Sequence, residues 1–105
     1  MSKADEMFKE LGYKKYENHP ISEPKENQFT TQDNPTIEYI AEAEIKETYY
    51  SMRIIFMLDA KRIQMSGYER GINAYRNIYH MGRNPILNMQ ELQAINEKVK
   101  ELQWI

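Results

Sequence analysis

The chain has 105 residues, a net charge of −2 and no cysteine, with 41% hydrophobic and 29% charged residues. That length fits one compact domain spanning 1–105, and the modest hydrophobic share points to a thin two-layer fold. The composition excludes disulfides, thiol chemistry, a membrane-spanning helix and a generally basic nucleic-acid binder, though not a local basic patch.

Ser2 opens the chain as a helix N-cap with Asp5 three residues on. Ala4, Met7, Phe8 and Leu11 then repeat at i, i+3, i+4 and i+7. Gly12 sits where a left-handed C-terminal cap belongs. The opening MSKADEM has no apolar signal core, so a cytoplasmic location is the expectation. Residues 13–16 suit a short strand. Residues 17–36, with three prolines and scattered charges, read as a long loop with a brief strand at 28–31.

Residues 36–46 alternate. Ile37, Tyr39, Ala41, Ala43 and Ile45 point one way and mostly acidic residues the other, which predicts a strand with one solvated face. The helix formers in AEAEIKE are the competing signal. From 49 to 58 the apolar residues run nearly unbroken, with Tyr50, Met52, Ile54, Phe56 and Leu58 on one face of a central strand. Asp59-Ala60-Lys61 turns the chain, and residues 62–66 return with Ile63 and Met65. Residues 67–84 predict a short helix through Ile72, Tyr75, Ile78 and Tyr79, capped by Gly82, with a loop and strand as the other possibility. Pro85, Ile86 and Leu87 lead into a final helix, capped by Asn88 and Glu91 and striped with Met89, Leu92, Ile95, Val99 and Leu102. Trp104 and Ile105 need cover, from the sheet itself or from a homodimer contact. The expected fold is α+β: an antiparallel β-meander of three or four strands with the N- and C-terminal helices packed on one face.

Two surfaces stand out. Tyr68, Arg70, Tyr75, Arg76, Tyr79, His80 and Arg83 mix aromatic rings with cations. Residues 61–86 hold five Lys and Arg against one Glu, a charge of +4 that leaves −6 for the rest of the chain. Tyr and Arg together suit a protein interface, and also suit stacking on bases beside phosphate; a solvated loop with half-buried tyrosines is the plainer alternative. The second surface is acidic. Glu38, Glu42 and Glu44 share the outer face of their strand, with Asp33 and Glu47 nearby, either as a solvated face that discourages edge aggregation or as a match for a basic groove. His19 and His80 have no second histidine at i+3 or i+4, and neither a nucleophile elbow nor a phosphate loop is present. The expectation is therefore no enzyme, with no catalytic residue, metal or cofactor.

The opening ADEMFKELGYK, residues 4–14, and the closing helix MQELQAINEKVKELQWI, residues 89–105, resemble small phage and prophage proteins of Firmicutes with the forms ADEMFxxLGYxK and MxELxAINxKxxELxWI. The two ends cover about a quarter of the chain. Members of that group often carry Gly before the terminal Trp, where this chain has Gln103, and often lack a segment as long as 67–85. The resemblance implies a phage-encoded accessory protein acting by stoichiometric binding, with a host protein such as a defence nuclease as partner (an anti-CRISPR-like role). It brings no catalytic residues. A small-ligand protein sequestering a nucleotide signal and a nucleic-acid-binding accessory protein are the other classes considered.

Overall fold

The computed structural model describes residues 2–18, 35–73 and 75–105. Helix α1 (Lys3–Glu10) leads into β1 (Lys14–Asn18), followed by β2 (Thr36–Ile45), β3 (Thr48–Met57), β4 (Arg62–Ile72), β5 (Ile78–Arg83) and helix α2 (Met89–Glu101). The five strands pair antiparallel in chain order, a meander with β1 and β5 at its edges. The class and the two terminal helices match the sequence expectation; the strand count is five rather than three or four. The strand expected at 28–31 lies outside the described residues.

The correction falls in residues 67–84. The expected helix is instead the end of β4, a hairpin loop and β5, so Gly82 lies within a strand and caps nothing. Asn73 makes the reversal. Its side-chain oxygen accepts from the backbone N–H of Tyr75 at 2.9 Å and of Asn77 at 3.0 Å, the Asx-turn habit that competes with helix formation. Ile72 and Ile78 then face each other across the ladder.

The helices lie on one face of the sheet because period-two alternation collects the apolar side chains there. Phe8, Tyr13, Ile37, Tyr39, Ile54, Phe56, Ala94 and Ile95 form the core. Phe8 stacks on Tyr39 with ring centroids 3.9 Å apart, and Phe56 meets both rings edge-on. Asn88 and Glu91 form the expected reciprocal cap of α2, and the Ser2 side chain accepts from the Asp5 N–H.

Both helices end in the same device. The Gly12 N–H donates to Lys9 O and the Tyr13 N–H to Phe8 O; at the end of α2 the Gln103 N–H donates to Lys100 O and the Trp104 N–H to Val99 O. This is the paired bonding of a Schellman motif, whose left-handed residue is Gly12 at φ 92° in α1 and Gln103 at φ 60° in α2. The motif turns an aromatic residue back onto the core each time. Tyr13 is buried, and Trp104 is half-buried with its ring 6.1 Å from Phe56.

One charged group is part of this interior. The Lys98 ammonium, 3% exposed as a residue, donates to Asp5 at 3.3 Å and Glu101 at 2.5 Å. Asp5 also accepts from Lys15 at 2.8 Å and from the Tyr39 hydroxyl at 2.5 Å. Burial pushes the Asp5 carboxyl up, but the bonds from Lys15 and Tyr39 and the charges of Lys98 and Lys15 outweigh it, holding the group at about 2.

Candidate functional site

The alternation that builds the core also sorts the charged and aromatic residues, because directly opposed residues on antiparallel strands share a face. Ile37, Tyr39 and Ala41 oppose Phe56, Ile54 and Met52 on the helix side. The intervening residues therefore occupy the other face, over which no helix packs among the described residues. On this open face Glu38, Glu42 and Glu44 line β2, opposite Ile55, Ser51 and Tyr49 on β3. Arg53, Tyr49 and Ser51 of β3 face Ser66, Arg70 and Tyr68 of β4, and Arg70 and Tyr68 in turn oppose His80 and Gly82.

The seven residues of the Tyr/Arg segment are thus divided three ways. Tyr68, Arg70 and His80 meet on the open face. The Tyr68 hydroxyl hydrogen-bonds His80 Nδ1, the Tyr68 ring meets Tyr49 edge-on at 6.2 Å, and the Arg70 guanidinium lies 5.5 Å from the Tyr49 ring centre. Burial and a hydrogen bond to Glu42 push the Tyr49 phenol up, which links the aromatic group to the acidic strand. Tyr75 and Arg76 belong to the hairpin loop, where Tyr75 is 85% exposed.

Tyr79 and Arg83 point to the helix side. Both hold Glu69, which is 8% exposed: the Tyr79 hydroxyl donates at 2.6 Å and the Arg83 guanidinium at 2.8 Å, while Arg83 also lies 5.7 Å from the Tyr50 ring. The hydrogen bond to Glu69 pushes the Tyr79 phenol up. Gly71 makes room for this arrangement, since a Cβ there would stand 2.6 Å from the Tyr79 hydroxyl oxygen. Tyr79, Arg83 and Glu69 brace the hairpin, a duty the sequence pattern did not assign them.

The two surfaces weighed separately in the sequence are therefore one. Glu38, Glu42 and Glu44 run along β2, with Arg53 on the adjacent β3, Arg62 and Arg70 two strands away on β4, and Tyr49 of β3 between Glu44 and Arg70. Arg53, Arg62, Arg70, Glu42 and Glu44 form no ion pair within the chain among the described residues. Arg53, Ser51 and Tyr49 are residues the sequence pattern did not single out, although their place opposite the core-facing set of β3 marked them. At one end of the sheet an open groove of about 350 Å³ is lined by Glu47, Arg70, Gly71, Ile72, Ile78 and His80.

Among the described residues, no group of three or more His, Asp or Glu side chains stands close enough to hold a metal ion, and no helix is long and apolar enough to cross a membrane. Asp33 and His19 lie outside the described residues. The chain matches no family model, no curated protein and no solved structure.

Proposed function

We propose that this protein acts by stoichiometric binding to another protein through the open face of its sheet. The single observation behind this reading is the composition of that face. A sheet surface over which no helix packs among the described residues carries tyrosines held in place by each other, by Arg70 and by His80, and on it Glu42, Glu44, Arg62 and Arg70 form no ion pair within the chain among the described residues. Rings fixed before contact lose little entropy on docking, and Tyr and Arg dominate the energetics of protein interfaces. The resemblance of the two chain ends to phage accessory proteins supports a host protein as the target, with inhibition of a defence nuclease as the consequence of binding. Tyr68, Arg70, His80, Tyr49, Glu42 and Glu44 are the contact residues in this proposal. Tyr79 and Arg83 support the hairpin behind them.

The test is affinity capture from host lysate with wild type and two variants. Tyr68→Ala/Arg70→Glu should lose the captured protein, and Arg83→Lys should keep it. Capture that survives the first variant removes the open face from consideration. A nucleic-acid-binding role would instead show nuclease-sensitive capture that weakens steeply with salt.

A further inference from the structure

The open face is sorted by charge in one direction. Crossing it from β2 towards β5, the side chains change from Glu38, Glu42 and Glu44 through Tyr49, Ser51 and Arg53 to Arg62, Arg70 and His80, with Lys14 of β1 beyond the acidic column. Glu42, Glu44, Arg62 and Arg70 have no ion-pair partner within the chain among the described residues. A surface with this left–right division complements itself. A two-fold axis between two such sheets, parallel to the strands, exchanges left and right and lays the acidic column of each copy on the basic column of the other. An axis across the strands would instead lay acid on acid and base on base.

We propose that the free protein is a face-to-face dimer built on the first of these axes. Aligned sheets pack about 10 Å apart and about 30° off parallel, close enough for long Glu and Arg side chains to meet. Five strands at about 4.8 Å spacing and eight residues in length present a footprint of about 650 Å² per copy. Both copies together then fall in the range of roughly 1,200–2,000 Å² found for stable specific interfaces. Apolar surface for the centre comes from the half-buried Tyr49, Tyr68 and Met57. Arg53 falls near the axis, where it meets its own copy and opposes the association, so the attraction comes from the two outer columns.

This inference rests on the open face being a binding surface, as proposed above, and not on the identity of the target. It adds a consequence. The second copy occupies the surface the target needs, so the dimer must separate before the target binds.

Two charge-reversal variants test it by sedimentation velocity. In Glu42→Arg/Glu44→Arg both columns are basic; in Arg62→Glu/Arg70→Glu both are acidic. Wild type should sediment as a dimer that weakens as salt is raised, and each variant alone as a monomer with the wild-type far-ultraviolet circular dichroism. Mixed one to one, the variants should form a heterodimer, because each acidic column now meets a basic one. A monomeric wild type at about 100 μM, a dimer in either variant alone, or two folded variants that stay apart when mixed would each overturn the proposal. If wild type is monomeric and the Tyr68→Ala/Arg70→Glu variant still loses its captured protein, the dimer fails and the binding function stands. If the dimer behaves as stated and capture is unchanged in that variant, the function fails and the dimer stands.

Discussion

Replacing Asp5 by Asn tests whether the buried ion network contributes to stability by charge. Asp5 receives Lys98 at 3.3 Å, Lys15 at 2.8 Å and the Tyr39 hydroxyl at 2.5 Å. These groups bring its carboxyl from the ordinary 3.8 down to about 2, and at about 1.4 kcal/mol per unit the depression corresponds to about 2 kcal/mol. Asn keeps the shape and an acceptor oxygen but not the charge. Lys98 keeps Glu101 at 2.5 Å, so the loss stays below the roughly 3–5 kcal/mol seen when a buried charge loses every partner. Asp5→Asn should therefore cost about 2 kcal/mol at pH 7, a fall in Tm of about 10 °C for a domain of this size.

The sign of the pH dependence follows from the direction of the shift. The native carboxyl releases its proton more readily than the unfolded one, so its stabilisation is complete above about pH 4 and lost as pH falls towards 2. Urea unfolding followed by circular dichroism should show the gap between wild type and variant closing over that window. The Glu101 carboxyl, pushed up by burial but held below its usual range by Lys98 and Ser2, also loses its contribution in acid. Asp5 itself pushes Glu101 up, so in Asp5→Asn the Glu101 carboxyl lies lower still, which offsets part of the cost at pH 7. A cost below about 0.5 kcal/mol at pH 7, or one as large at pH 2 as at pH 7, would refute the electrostatic account.

Gln103 occupies the left-handed position of the α2 terminus at φ 60°; Gln103→Gly should stabilise the fold by about 1 kcal/mol in urea unfolding. The two-residue turn between β2 and β3 places Lys46 and Glu47 at φ 48° and 64°, so the pair Lys46→Asn/Glu47→Gly should raise stability by about 1 kcal/mol, because type I′ turns favour Asn-Gly. Gly71→Ala places a methyl group 2.6 Å from the Tyr79 hydroxyl oxygen. It should break the bond to Glu69 and speed amide exchange in β4 and β5 more than in β2, with a cost of about 1–3 kcal/mol.

What the sequence displayed depended on how strongly each segment was tied to the core. Residues 37–41 and 50–58 bury one face, so a shift of one residue would reverse every side chain, and their period-two pattern is plain. Ser2, Asn88 and Glu91 announce helix starts because side chains there must satisfy backbone N–H groups that lack helical partners. β5 has no such tie. It is an edge strand with Ile78 69% exposed and Met81 48% exposed, and its apolar residues, read with Ile72 and Tyr75, fall at helical spacing. The clue against a helix was Asn73, whose side chain holds the hairpin loop. Taking the wrong period also gathered Tyr68 to Arg83 into one site. Strand alternation sends Tyr68, Arg70 and His80 one way and Tyr79 and Arg83 the other, while placing Glu42 and Glu44 beside the first group. Gln103 carried no such signal, because a glutamine does not announce the left-handed backbone that the α2 terminus adopts there at φ 60°.

The most direct test of the open face as the binding surface uses two neighbouring residues. His80 and Met81 are consecutive in β5, are both exposed, and lie on opposite faces of the sheet. A photoreactive phenylalanine derivative placed at 80, then at 81, and irradiated in host lysate compares the two faces at nearly the same point in space. A covalent adduct with the same host protein from position 80 and none from position 81 is the predicted result. An adduct from 81 alone would contradict the account and move the binding surface to the helix side.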